Sequence, residues 1–447
     1  MSVGLTPPAA PPLNQPTIRY LSNGLTIVAE QLPVDAVNLN LWFNIGSAVE
    51  ADDINGMAHF LEHMMFKGTE RLKSGEFEQI VEQRGAVANA ATSQDYTQYH
   101  ITMAPQDFGA LTPLQMDVVL QPSIADDAFD RERSVILEEI RRADDNPGRR
   151  SFYQAMAIAC PDMPYSRPVL GTPDIIESLQ AEQMRKFHKT WYRPAAMTAV
   201  AVGNLPVDQL IETVADSVPE SLIAQGADDV DSMPASAAAQ ALVSSAASRP
   251  FADIIRCETV DPALQQARLI MMWRVPSIQQ IDETYPLDVL ASVLGFGRTA
   301  RLVQDLREVR SLVSHIRVSN TTYTRQGIFS ISARLPEDNL DQVEAAVIDH
   351  IHQLQTTPVA PSEIERVCTQ VANRYVFANE TPTSRSGLYG YYQAMTGSLD
   401  AAIHYPQRIR TIDAASLQQT ARQYLNPDAY GIVVTRPAPT AVASANG

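Results

Sequence analysis

The two halves of the chain carry the same short pattern, and this repeat restricts the fold more than any other feature. Residues 192–202 place a Tyr, a Pro and an apolar, strand-like run directly after a helical segment. Residues 424–434 repeat that order roughly 230 residues further on, which predicts an internally duplicated unit of mixed α and β structure.

Strand and helix patterns in each half predict how that unit is built. An Asn-Gly pair at 23–24 lies between two apolar runs and favours a β-hairpin, and the runs at 86–103 are typical of two paired strands. The second half combines an alternating strand at 327–334 with a long helical pattern at 338–354. We therefore expect an α+β fold with two duplicated domains, each a mostly antiparallel sheet covered by helices.

The length of the chain and its local composition predict where the domains lie. A chain of 447 residues exceeds what one hydrophobic core usually holds. Residues 1–16 are rich in Pro and Ala and predict a flexible arm, and 219–252 shift to Ala, Ser, Asp and Pro, as expected for a linker. The predicted domains are then 17–218, with the candidate metal site, and 253–447, without a metal motif.

Two histidines and a glutamate stand close together in an otherwise apolar helical pattern. His59 and His63 are four residues apart and Glu62 lies between them, so a helix brings all three near one face. A single histidine on an apolar helix is usually a structural residue, but two in register with a carboxylate favour a site for one divalent metal ion.

A second helical pattern offers a third ligand. Its apolar stripe of Val135, Ile136, Ile140 and Ala143 includes Glu139, which should therefore point inward. A carboxylate aimed into a core needs a partner or a metal. Hydrolytic zinc sites commonly use three protein ligands, so we predict His59, His63 and Glu139 as ligands. Glu62 is then available as the general base that takes a proton from the attacking water.

The first of the paired strands consists of small side chains, which allow another backbone to come close. Its central residues are a candidate edge for the addition of a peptide strand, although Ala-rich strands are more often simply packed tightly. These residues are Ala88, Asn89, Ala90 and Ala91.

Composition argues against one class of partner and bears on location. The formal net charge of −17 argues against nucleic-acid binding, since phosphate neutralisation needs a basic surface. The three cysteines form neither a disulfide framework nor a CxxC pair, and the N-terminus shows no signal peptide or membrane span. The cytoplasm is the predicted location, with the periplasm as the alternative if a signal peptide has been removed.

The motif and its surroundings resemble those of a known family. The sequence His59-Phe60-Leu61-Glu62-His63, with Glu139 further along, resembles the inverzincin signature of the pitrilysin family. The flanking residues 64–69 resemble the zinc-bearing subunit of the mitochondrial processing peptidase subgroup. The resemblance implies an endopeptidase with one zinc ion per chain, whose two-domain subunits pair and add an unfolded peptide as a strand beside the metal. The strand at 88–91 corresponds to that edge.

The chain departs from the family at one place. The family's second domain usually offers an Arg and, seven residues later, a Tyr that hold the substrate. Here Arg307 matches the Arg, but Ser314 stands where the Tyr is expected. We therefore expect a heterodimer in which a second, homologous subunit supplies the Arg/Tyr pair, with a homodimer as the alternative.

The predicted function is zinc-dependent hydrolysis of short or unfolded peptides. The alternative is a non-catalytic subunit of the same fold that binds peptides or serves as a scaffold. Such a subunit would be expected to lose metal ligands, whereas His59, His63, Glu62 and Glu139 are all present.

Overall fold

The computed structural model describes residues 15–223 and 249–439. Most of the predicted arm at 1–16 and of the predicted linker at 219–252 lies outside the described residues. Two sheets organise the described chain, and each is built mainly from antiparallel strand pairs.

The first sheet contains six strands. They are β1 (Thr17–Tyr20), β2 (Thr26–Gln31), β3 (Val37–Phe43), β4 (Val87–Thr92), β5 (Thr97–Met103) and β6 (Met197–Gly203). Their order is β1-β2-β6-β3-β5-β4, and only β2 and β6 pair in parallel. The predicted hairpin is β1 and β2, and the small-residue strand β4 lies at the edge of the sheet.

The second sheet repeats this arrangement with five strands. They are β7 (Ile255–Asp261), β8 (Ala267–Val275), β9 (His315–Thr322), β10 (Gly327–Leu335) and β11 (Gly431–Pro437). The order β7-β11-β8-β10-β9 again contains one parallel pair, β7 with β11. Strand for strand, this matches β2-β6-β3-β5-β4 in both order and direction, so the predicted α+β fold with two duplicated sheets is confirmed.

Helices cover both sheets. Those before residue 224 are α1 (Met57–Met65), α2 (Glu76–Gln83), α3 (Phe108–Leu120), α4 (Asp126–Asp144), α5 (Pro147–Ala159), α6 (Pro173–Ser178), α7 (Ala181–Trp191), α8 (Val207–Asp216) and α9 (Glu220–Ile223). Those after residue 248 are α10 (Ile281–Gly295), α11 (Leu340–Thr356), α12 (Pro361–Ala378), α13 (Pro382–Thr396), α14 (Asp400–Arg410) and α15 (Ala414–Tyr424), with a π-helix at Val303–Val309.

The described chain divides into two compact units that exchange segments. The first unit takes 369–410, with α13 and α14, from the second half of the chain, whereas the second unit takes 139–167, with α5, from the first half. The boundaries predicted for the homologous domains, 17–218 and 253–447, stay a prediction about the sequence repeat. The compact units themselves follow packing rather than chain order.

The exchanged helix α13 gives the first sheet its second buried face. All residues of β3 and β6 are buried, which requires cover on both sides of the sheet. Tyr389 of α13 belongs to the same buried cluster as Trp42 and Val200. Gly390 lies directly against the Trp42 indole, where any Cβ would overlap the ring. Helix α13 therefore packs tightly against this sheet.

Candidate metal centre

The helix that carries the histidine pair is fixed at its N-terminus by a buried carboxylate. Glu50 is 5% exposed, and its two oxygens accept hydrogen bonds from the backbone N–H groups of Gly56, at 2.8 Å, and Ala58, at 2.7 Å. Gly56 has φ +98°, and a Cβ there would lie 2.7 Å from the carbonyl oxygen of Leu170. A negative charge at a helix N-terminus is favourable. Glu50 therefore caps α1, since the N-cap residue Gly56 has no side chain that could do so.

An aromatic stack joins α1 to α4, the helix that carries the predicted third ligand. Phe60 lies between the two histidines in sequence and is fully buried, and its ring stacks on Phe129 with centroids 4.5 Å apart. The boundary between the compact units falls within α4, directly before Glu139. The turns of α4 that precede Glu139 belong to the unit that contains α1, and they fix the position of Glu139.

The three predicted ligands come together. Ligand atoms of His59, His63 and Glu139 all lie within 4.8 Å of one another. His59 is 8% exposed, and the two imidazole centroids are 4.9 Å apart. Two imidazole nitrogens and one carboxylate oxygen form a donor set that suits zinc, and this set leaves a further position for a reactant. The residues present therefore fit the metal that the sequence predicts.

The neighbouring stripe was predicted only in part. Ile136, Ile140 and Ala143 are buried as expected, but Val135 is 49% exposed. The inward face of α4 also carries Glu132, which is 8% exposed and lies one turn before Ile136.

The predicted general base is held by the edge strand. Oε2 of Glu62 accepts a hydrogen bond of 2.5 Å from the hydroxyl of Thr92, the last residue of β4. The phenols of Tyr99 and Tyr192 are buried, and burial, with a smaller effect of the Glu62 charge, raises the pKa of both. Both phenols thus stay neutral beside the carboxylate. The hydrogen bond from Thr92 connects Glu62 directly to the edge strand of the first sheet.

Glu132 is a residue of this site that the sequence reasoning missed. Its Oε1 lies 3.0 Å from Nδ1 of His63 and its Oε2 2.7 Å from Nζ of Lys67. Burial opposes ionisation of this carboxyl, but the hydrogen bonds and charges of Lys67 and His63 prevail, and its pKa lies below the usual value. An ionised carboxylate only accepts, so Nδ1 of His63 carries the proton and Nε2 is left as the metal-binding atom. The missed signal was the spacing of seven residues between Glu132 and Glu139, which places both on one face of α4.

We expect Glu132→Gln to weaken metal binding about 10- to 100-fold, as is typical when the carboxylate partner of a metal-binding histidine is lost. The amide no longer fixes the imidazole tautomer, although its shape is retained. Competition with a chromophoric chelator measures the affinity. Asp127→Asn, which removes an exposed carboxylate from the same helix, serves as the matched control. Equal metal affinities of the two variants would show that Glu132 does not position His63.

The predicted strand edge lies next to this site. Asn89 and Ala91 of β4 are exposed and Ala88 and Ala90 are half-buried, and β4 pairs with β5 on one side only. The backbone groups on its other side are thus available to an extended chain. The structure places all four predicted residues on this edge.

Arg307, the remaining predicted residue, belongs to the second compact unit. It lies in the π-helix, and its guanidinium donates to Oε1 of Glu308 at 2.7 and 2.9 Å. The hydroxyl of Ser314 lies 2.7 Å from Oε1 of Gln266 and 3.1 Å from the carbonyl oxygen of Arg334. Both side chains thus have partners within their own unit.

The fold and the site define a class of protein: a duplicated α+β chain whose described residues contain one candidate centre of two histidines and a carboxylate, with a glutamate beside it. Comparison with known families identifies the family. The family described as "Insulinase (Peptidase family M16)" matches residues 26–173, and "Peptidase M16 inactive domain" matches residues 178–371. The chain belongs to peptidase family M16.

Relatives with similar sequences extend over nearly the whole chain. A protein of Rickettsia bellii named "uncharacterized zinc protease" is 27% identical over 93% of this chain and 97% of its own length. A protein of Streptomyces coelicolor with the same description is 26% identical over 91% of this chain and 86% of its own length. The names of these relatives point to a metalloprotease family.

Solved structures share the fold. A protease from Helicobacter pylori matches with a TM-score of 0.86 at 23% identity, covering 95% of this chain and all of that one. A peptidase M16 inactive domain from Pseudomonas fluorescens matches with a TM-score of 0.81 at 17% identity, covering 96% of this chain and 99% of that one. Among the described residues, no helix is long and apolar enough to cross a membrane.

Proposed function

We propose that the chain is a zinc-dependent endopeptidase of the HxxEH type, with one zinc ion per chain. The observation that carries this proposal is the convergence of His59, His63 and Glu139 within 4.8 Å, on helices joined by a buried aromatic stack. Glu62, which is not needed as a ligand, lies on the same helix as the two histidines. The zinc protease names of the relatives support the choice of metal.

The side chains of the site have distinct tasks in this proposal. His59, His63 and Glu139 hold the zinc, which when bound lowers the pKa of water and polarises the carbonyl of the peptide bond. Glu62 accepts the proton of the attacking water and passes it to the leaving amine. The hydroxyl of Thr92 holds the Glu62 carboxylate in place, and Glu132 fixes the ring of His63. No residue has to act as a nucleophile.

The edge strand β4 suggests the kind of substrate. An extended peptide that pairs with β4 would run past Thr92 and therefore past the glutamate that Thr92 holds. Because the main chain of the substrate must be free to form ladder hydrogen bonds, short or unfolded peptides fit this edge and folded proteins do not. The small side chains at 88–91 leave room for such a chain.

The proposal can be tested by metal removal. We expect about one zinc ion per chain after gentle purification, loss of peptide cleavage in a chelator, and recovery when zinc is restored. Elemental analysis and cleavage of an unfolded peptide provide the two measurements. A chain that holds no zinc, or that cleaves equally well in the chelator, would contradict the proposal.

We further propose that the chain is the zinc-bearing subunit of a heterodimer. The motif supplies Arg307, but Ser314 is a short side chain whose hydroxyl lies beside Gln266 and the Arg334 carbonyl. A homologous partner would provide the Arg/Tyr pair, and a homodimer is the alternative. Purification from the native host identifies the partner, and full peptidase activity of the chain alone would contradict the heterodimer.

A further inference from the structure

Two arginines and a histidine lie in one row across the second sheet. In the register of the strands, Arg334 of β10 stands directly opposite Arg268 of β8 on one side and His315 of β9 on the other. Like charges directly opposite each other on neighbouring strands are destabilising. We call these three residues the cationic row.

The cationic row lies on the face of the sheet opposite the apolar core. Neighbouring residues such as Ala333 and Leu269 are buried on the other face, whereas Arg334 and His315 are exposed and Arg268 is half-buried. Helix α5 covers the far part of this face, where Ser151 lies 3.0 Å from Thr435 of β11, the residue opposite Arg268. Helix α5 thus covers only the end of the row at Arg268. The side chains on β9 and β10, His315 and Arg334, are open to solvent.

The first turn of α5 adds to the positive charge. A Cβ on Gly148 would lie 2.9 Å from Nη1 of Arg268, so the guanidinium packs against the N-terminal turn of this helix. The side chain of Asn146 accepts hydrogen bonds from the N–H groups of Gly148 and Arg149, and the N-terminus of the helix still carries a partial positive charge. Arg268 therefore faces a second positive group in addition to Arg334.

Few negative groups compensate for this charge. Among the described residues, neither Arg268 nor Arg334 forms an ion pair, and the buried Nε of Arg268 has no hydrogen-bond acceptor. The neighbouring carboxylate of Asp261 already pairs with Arg150. Burial and the nearby Arg334 lower the pKa of Arg268 more than the carboxylate of Asp261 raises it. Burial with Arg334, Arg307 and Arg317 lowers the pKa of His315, so the two arginines carry the charge of the row at neutral pH. This concentration of positive charge occurs in a chain whose formal net charge is −17.

Protection of a sheet edge does not explain the row. Charged side chains on an edge strand hinder unwanted strand pairing, and His315 on β9 is in that position. Arg334 and Arg268, however, lie on the second and third strands from the edge. Side chains so far inside the sheet cannot block a strand at its edge, so their mutual repulsion needs another reason.

We propose that the cationic row of Arg268, Arg334 and His315 binds the acidic side chains of an extended peptide, and so gives the chain a preference for acidic peptides. Carboxylates placed over the row would accept charge-assisted hydrogen bonds from both guanidinium groups and remove their repulsion. Only the choice of a peptide as the ligand rests on the proposed peptidase function.

The test measures binding without cleavage, in the full-length chain with Glu62→Gln. Two fluorescent peptides, acetylated at the N-terminus and amidated at the C-terminus, differ only in carrying glutamates or glutamines. We expect the glutamate peptide to bind at least about tenfold more tightly at low salt, the range of a charged hydrogen bond, and this preference to shrink at high salt. Equal binding of the two peptides would overturn the proposal.

A variant pair assigns the preference to the row. Arg334→Gln should remove the preference, while its melting temperature stays equal to or above that of the parent because one repulsive charge is gone. Arg366→Gln removes the same charge from α12, outside the row, and should keep the preference. If both variants bind alike, the row is not the site. Failure of the peptidase proposal would appear separately, as absence of cleavage by the unmodified chain.

Discussion

Replacing Glu62 with glutamine should lower peptide cleavage about a thousandfold while zinc stays bound, because a positioned general base contributes on that order. Glutamine keeps the size of the side chain, and its amide oxygen can still accept the 2.5 Å hydrogen bond from Thr92. The ligand atoms of His59, His63 and Glu139 are untouched, so the change removes proton transfer and leaves the metal centre in place. Steady-state cleavage together with elemental analysis measures both properties on one sample.

The matched control for this variant is Glu82→Gln, which makes the same change of charge at an exposed position of α2. We expect its cleavage rate to equal that of the parent chain. Cleavage by the Glu62 variant at the parental rate, with zinc present, would rule out the proton-transfer role. In that case a group other than Glu62 would have to accept the proton of the attacking water.

The core of the site was predictable because its information is local in sequence. His59, Glu62 and His63 lie within one helical turn, and Glu139 was found from the apolar stripe around it. Glu132 was not found because it acts on His63, 69 residues away in sequence. Glu50 was not found because it caps α1 from a loop six residues before Gly56, where no helical pattern includes it. A carboxylate that caps a helix or orients a ring looks, in sequence, like any surface carboxylate.

The composition of the buried face of each helix explains which helices were predicted. The sequence pattern at 108–120 predicts a helix and that at 197–203 predicts a strand, and α3 and β6 have these bounds. The helices α5 and α13 were missed. The buried residues of α13 include Arg385, Ser386 and Gln393, and those of α5 are mostly small. A binary apolar pattern does not detect a helix whose buried face is polar or small.

The sequence repeat predicted two similar sheets but not that their edge strands differ in chemistry. Strand β4 and strand β9 occupy the same position at the edges of their sheets. The exposed positions of β4 carry Val87, Asn89 and Ala91, whereas those of β9 carry His315, Arg317 and Thr321. The exposed side of β4 therefore has no ionisable side chain, whereas that of β9 has two basic ones. Equivalent positions of the two units thus differ in chemistry, although their topology is the same.

A buried ion pair between two distant parts of the chain leads to a prediction about stability. Glu30 of β2 and Arg385 of α13 are 3% and 6% exposed, with Nη1 of the arginine 3.0 and 3.2 Å from the two carboxylate oxygens. Nε of Arg385 donates in addition to the carbonyl oxygen of Asn379 at 2.7 Å. The guanidinium therefore satisfies two buried acceptors at the point where α13 meets the first sheet.

Arg385→Leu should lower the free energy of unfolding by about 3–5 kcal/mol, because it leaves the Glu30 carboxylate buried without its counter-charge. Urea denaturation measures the change. Arg131→Leu, which breaks an exposed ion pair with Asp127, should cost less than about 1 kcal/mol and serves as the control. The double variant Glu30→Gln, Arg385→Leu should recover most of the loss, since no charge then remains buried. If the double variant were as unstable as Arg385→Leu alone, the loss would come from the packing of α13 rather than from the unpaired charge.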